Sequence, residues 1–193
     1  MVAAMMITPP LKLNYFAILI VLVSAGCSTI FTVKPTPTAS PTPTPERLKL
    51  VNGEIDTCLL VSTTEVEITL GIKVIRKNSE TSCIYRSVSN DRAIFITDVI
   101  TDATLKKAGL SITAVESYEM EKISTLEHSK MWKFEEIENL GDQAYLTDSS
   151  DFVTIHVLKN KISYEFIART IDVGGIGYET LMKLTKIALQ RMP

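Results

Sequence analysis

Histidine is scarce in this chain, with His128 and His156 the only two among 193 residues, and neither sits in a His-Glu-x-x-His sequence. Metalloprotease chemistry of that type is excluded, because it needs two imidazoles one helical turn apart. No Gly-x-Ser-x-Gly elbow and no Ser-x-x-Lys sequence occurs, which removes the common serine-nucleophile classes. Excess basic charge is also missing: 20 Lys and Arg stand against 22 Asp and Glu, a formal net charge of -2. Such mild acidity offers none of the phosphate attraction that drives nucleic-acid binding. His128 lies in a charged stretch and is expected to be solvated. His156 falls at mid-strand on a mainly polar face and is expected to be structural. The chain therefore reads as non-enzymatic, with no cofactor and no metal-ligand set.

Long apolar runs are lacking too. Tyr15–Val23, preceded by Lys12, is well short of the roughly 20 apolar residues that a bilayer-spanning helix needs. It leads into Val23-Ser24-Ala25-Gly26-Cys27-Ser28, where small residues end in a cysteine. The segment resembles a bacterial lipoprotein signal, with Ser24 where leucine is commonest. In such signals the small residues let an extended backbone enter a peptidase. The cysteine thiol takes a diacylglycerol, and the new N-terminus is acylated, often with palmitate. Residues 1–26 are thus expected to be a removed signal peptide and Cys27 the lipidation site. The protein would be anchored on the extracytoplasmic face of the cell membrane, since two or three acyl chains hold where one is marginal. An uncleaved anchor and an ordinary signal peptide cut elsewhere are the alternatives. Removing the leader takes away Lys12 and moves the formal charge from -2 to -3.

Proline is concentrated in Lys34-Pro35-Thr36-Pro37-Thr38-Ala39-Ser40-Pro41-Thr42-Pro43-Thr44-Pro45. Alternating proline removes backbone donors and fixes φ, so the stretch favours an extended polyproline conformation. Residues 27–45 are expected to be the lipidated cysteine and a disordered linker, and residues 46–193 one globular domain. That length suffices for a real core. Threonine glycosylation of the stalk is open.

With Cys27 lipidated, Cys58 and Cys83 remain. An even pair outside the cytoplasm is most simply a disulfide. A redox or metal pair is the alternative, without Cys-x-x-Cys spacing or a neighbouring histidine to favour it.

Local signals organise the domain. Ser62-Thr63-Thr64-Glu65 reads as a capping box, with a short helix through Val66 and Leu70 that stops at Gly71. Ile72–Lys77 and Cys83–Val88 look like strands joined by a turn at Asn78-Ser79-Glu80, and Ala93–Ile100 is a third strand. Asp102 is expected to cap a short helix toward Ala108. A longer helix from Thr113 should turn Val115, Tyr118, Ile123 and Leu126 inward. Asn139-Leu140-Gly141-Asp142 is a turn before a strand at Gln143–Thr147. Phe152–Leu158 and Ile162–Ala168 form the clearest hairpin, with Val153, Ile155 and Val157 alternating against Thr154 and His156. Tyr178–Arg191 is an amphipathic helix burying Leu181, Leu184, Ala188 and Ile187. Successive hairpins with interspersed helices give an α+β fold, an antiparallel sheet covered by helices.

Several of these short sequences resemble one family. Cys58-Leu59-Leu60-Val61-Ser62, Glu65-Val66, Leu70-Gly71, Cys83-Ile84-Tyr85-Arg86 and Leu140-Gly141-Asp142-Gln143-Ala144-Tyr145 are similar to stretches of small bacterial exported LpqN-like lipoproteins. Ser62 stands where threonine is more usual. The resemblance implies a PsbP-like α/β/α sandwich and an extracytoplasmic address, and supports a Cys58–Cys83 bridge. It implies no activity.

Two places suggest a binding surface. Trp132, with Met131 and Phe134, is an aromatic group beside a helix end. Val173-Gly174-Gly175-Ile176-Gly177 lies between a strand and a helix but lacks the lysine of a phosphate loop. Core packing and a plain turn are the respective alternatives. Asp148 and Asp151 lack the ligand order of a calcium loop. The expectation is a binding or scaffolding domain for an envelope protein, glycan or lipid, presented by Trp132, Phe134, Gly174, Gly175 and Gly177. The alternative is a carrier holding a lipid-like ligand in a cavity between sheet and helix.

Overall fold

Hydroxyl side chains start three of the helices in a computed structural model of the chain, which describes residues 46–128, 132–169 and 177–193. The leader, Cys27, the proline-threonine stalk, Met131, Gly174 and Gly175 lie outside the described residues. At α1 (Thr63–Leu70) the Ser62 hydroxyl accepts the Glu65 N–H at 3.2 Å, and the Glu65 carboxylate accepts the Ser62 N–H at 2.8 Å. Both directions of the expected capping box are present. The helix stops where Gly71 takes φ 70°. Thr101 and Thr104 exchange the same pair of bonds at α2 (Asp102–Lys107), as do Thr113 and Glu116 at α3 (Ala114–Glu127). Asp102, expected as the cap of α2, is its first helical residue. Its carboxylate instead accepts the Ala114 N–H at 2.7 Å and ties α2 to the start of α3. The fourth helix, α4 (Tyr178–Leu189), begins at Gly177 without a side-chain cap.

Seven strands form one antiparallel sheet: β1 (Val74–Asn78), β2 (Ser82–Ser87), β3 (Ala93–Ile100), β4 (Lys133–Glu136), β5 (Gln143–Asp148), β6 (Phe152–Lys159) and β7 (Ile162–Arg169). Their spatial order is β1-β2-β3-β7-β6-β5-β4. Two meanders, one from each half of the domain, therefore join where β3 pairs with β7, Val99 opposite Tyr164 and Asp98 opposite Glu165. The β6–β7 hairpin closes on a two-residue loop, with Asn160 at φ 51° and Lys161 at φ 64°, the pattern of a type I′ turn. Before β5, Gly141 is required by space: a Cβ there would stand 2.6 Å from the Leu158 carbonyl oxygen.

Helices lie on both sheet faces. On the first, Val66 of α1 and Leu181, Leu184 and Ala188 of α4 pack over Tyr85, Phe95, Ile155, Tyr164 and Phe166, all buried. Ile187, expected inside, is only partly buried, and Thr185 takes the inward place. The second face carries α3. The chain leaves β3 at the sheet centre and must reach the far edge strand β4, so the connection crosses β7, β6 and β5. That crossing sets which side of α3 is buried: Ala114, Tyr118 and Thr125 face inward. Ile123 and Leu126, expected to point in, are 54% and 43% exposed. Their spacing suits a helix stripe, but the crossover angle presents a different side.

Two links hold the ends of the domain. Cys58, in a single 3₁₀ turn (Thr57–Leu59), is disulfide-bonded to Cys83 of β2 across 25 residues, with Cα atoms 5.0 Å apart. Arg191, just after α4, grips the Glu65 carboxylate at 2.8 and 2.6 Å and donates to the Leu60 carbonyl at 2.9 Å. Burial alone would raise the Glu65 pKa, but Arg191 and Ser62 together hold it down to about 2. One carboxylate thus caps α1 and fastens the last helix.

Replacing Cys58 and Cys83 together by alanine is expected to lower the unfolding free energy by roughly 3 kcal/mol in urea titrations. A pH series tests the second link. Glu65 has a depressed folded pKa, so its contribution is complete above about 4.5 and disappears as pH falls toward 2. Arg191→Met should therefore be destabilised by on the order of 1 kcal/mol at pH 6, after screening at this partly exposed site, and approach the parent chain near pH 2. An equal deficit at both pH values would contradict the assignment.

Candidate functional site

Strand register puts a row of polar side chains across the second sheet face. Asp98 of β3 lies opposite Glu165 of β7, Glu165 opposite His156 of β6, His156 opposite Tyr145 of β5, and Tyr145 opposite Glu136 of β4. Side chains alternate along each strand, so residues directly paired share a face. This is the polar face expected from the β6–β7 alternation. Where α3 covers it, however, it is dry. His156 is 4% exposed and Tyr145 fully buried.

The geometry inside this layer is well defined. Tyr145 stacks on the His156 ring with centroids 4.3 Å apart and planes 10° from parallel. Tyr118 of α3 and Phe134 of β4 complete the aromatic layer, at 5.4 and 5.3 Å from Tyr145. His156 Nε2 lies 3.4 Å from the Thr147 hydroxyl. Its Nδ1 has no hydrogen-bond partner and points between two carboxylates, 3.6 Å from Glu121 Oε1 of α3 and 4.0 Å from Glu165 Oε1.

Electrostatics follow from the burial. Loss of water pulls the His156 pKa down to about 4, so the ring is neutral at ordinary pH. Burial, reinforced by the negative charges of Glu121 and Asp98, pushes Glu165 up to about 8. Glu121 is raised as well, chiefly by burial, while its hydrogen bond with Glu165 opposes the rise. Near neutral pH a proton held by Glu165 and directed at Glu121 reduces the repulsion between them. Among the described residues, Glu121, His156 and Glu165 form a set whose nitrogen and oxygen atoms all lie within 4.8 Å of one another.

Beyond the end of α3 the same face is open. Two residue pairs along from the polar row, on the same face, Ile96, Ile167, Thr154 and Thr147 line up across β3, β7, β6 and β5. With Trp132, Ser149 and Phe152 they line a groove of about 420 Å³. Trp132 is 44% exposed and Phe152 37%. Thr147 belongs to both regions, because its hydroxyl lies beside the buried imidazole and its strand forms the groove floor.

The expected binding residues divide here. Trp132 lines the groove. Phe134 sits half-buried on Tyr145 and serves as packing. Gly177 is exposed at the head of α4 and is not among the groove's lining residues. His128, expected to be solvated, is exposed. The sequence reading missed Glu121 and Glu165. A two-residue loop at 160–161 would have placed Glu165 opposite His156, and that signal was available. No short-range signal brings Glu121 there, because the crossover decides it. Comparison of the chain with protein-family models, curated proteins and solved structures gives no match.

Proposed function

We propose that this chain is a lipid-anchored extracytoplasmic protein whose domain binds, without chemistry of its own, an uncharged and largely apolar group at the cell envelope. The supporting observation is the open groove, where an exposed Trp132 and Phe152 flank a floor of Ile96, Ile167, Thr147 and Thr154. A large, partly exposed aromatic next to aliphatic and hydroxyl side chains gives contact area at low ordering cost. None of its lining side chains among the described residues is charged, which favours an uncharged ligand over its floor. The first sheet face offers less, since the side chains of α1 and α4 fill the space above it. The leader and stalk sequences support the address.

Intact-mass analysis of the membrane fraction should find a polypeptide that begins at Cys27, carries acyl chains, and is two hydrogens lighter for the Cys58–Cys83 bridge. Unprocessed chain in the soluble fraction, with reduced thiols, would remove the proposed address. Trp132 is the chain's one tryptophan, so its fluorescence reports the groove directly. For the chain anchored in phosphatidylcholine liposomes, adding the cognate envelope fraction should shift Trp132 emission to the blue and protect it from iodide. Emission indifferent to lipid, glycan and protein fractions alike would count against the groove.

A further inference from the structure

The partly buried carboxylates between α3 and the sheet have no ion pair with lysine or arginine among the described residues. Glu121 comes from α3, Glu165 from β7, and Asp98 faces Glu165 from β3. Acidic groups this close repel unless water or a cation screens them, and here only part of the water remains, with the Glu121 side chain 38% exposed and Glu165 17%. An acidic group alone would not define a site. The second observation is His156, 96% buried on a rigid central strand, with Nδ1 unpartnered and directed at both carboxylates. A buried ring nitrogen without a partner is costly, and the imidazole is held in a stack with the Tyr145 ring.

We propose that Glu121, His156 and Glu165 bind a first-row divalent transition cation of the zinc type, fastening α3 to the sheet. Donors to tetrahedral zinc lie about 2.0–2.1 Å from the metal, and hence roughly 3.3 Å from each other. The separations of 3.6 and 4.0 Å from Nδ1 to the two carboxylates need only a small contraction to reach that value. The donor set selects the class of ion. One imidazole nitrogen with carboxylate oxygens suits zinc and its neighbours, whereas calcium and magnesium favour all-oxygen shells of six or more. Thiolate is excluded, since Cys58 and Cys83 are bonded to each other. Two carboxylates neutralise a divalent charge, and Asp98 adds favourable potential from the next strand. Three protein donors leave one tetrahedral position for water. Thr147 lies against the second ring nitrogen of His156, the position of an outer partner to a ligating imidazole.

The site is distinct from the groove and does not depend on the groove having a ligand. To test it, the full chain in detergent is stripped with chelator and titrated calorimetrically with zinc sulfate. One zinc per chain is expected, with calcium and magnesium unable to compete. Glu121→Gln and Glu165→Gln should each weaken binding at least about tenfold, while His128→Ala, at the other histidine, leaves it unchanged. Glu165→Gln keeps the side-chain shape and removes repulsion, so its fold is retained. Amide exchange across residues 114–127 should slow with zinc in the parent chain and not in this variant. Failure of the parent chain to bind zinc overturns the proposal. So does binding that survives both glutamine substitutions or is lost with His128→Ala.

Discussion

The pairing of β3 with β7 is the constraint from which the rest of the domain follows. It joins a three-stranded meander to a four-stranded one at the sheet centre, with six consecutive residue pairs from Phe95–Ala168 to Ile100–Ser163. Once β3 is central and β4 is the far edge, the intervening chain has to cross three strands. It does so as α2 and α3, and a helix crossing a sheet covers part of that face and leaves part open. The dry polar layer and the groove are the covered and open parts of one surface. Neither would exist if β4 paired next to β3.

The two faces divide the labour of the fold. The first is an ordinary apolar core, with Tyr85, Phe95, Tyr164 and Phe166 under α1 and α4, closed at its margins by the disulfide and the Glu65–Arg191 pair. It stabilises the domain without offering space. The second face contains charged and aromatic groups that contribute less to stability, since partly buried carboxylates repel and lose hydration unless something offsets their charge. Natural folds tolerate such groups where they serve a purpose, and this is the physical reason to look for function on that side.

Much of this architecture is legible in the sequence, and the illegible parts share a cause. The Ser62–Glu65 cap, the β6–β7 hairpin and the inward Leu181, Leu184 and Ala188 of α4 are written locally, through hydrogen bonds three residues apart or through a 2- or 3.6-residue period. The alternation of Thr154 and His156 against Val153 and Ile155 also gives the correct faces. What cannot be read is whether the polar face is wet. His156 looks like a surface strand residue until α3 is laid over it, and α3 is placed by topology, which has no local period. The same reason turns Ile123 and Leu126 outward and brings Thr125 inside. Strand β4 escapes notice because Lys133-Phe134-Glu135-Glu136 has a single apolar residue, as suits a short, charged edge.

The Arg191–Glu65 clasp has a consequence for biogenesis. Its two residues are separated by 126 positions, and the guanidinium also secures the Leu60 carbonyl ahead of α1. The N-terminal helix therefore lacks its anchor until residue 191 has been synthesised. β3 likewise waits for β7. Both contacts join residues far apart in sequence, so neither forms until the C-terminal half of the domain is present.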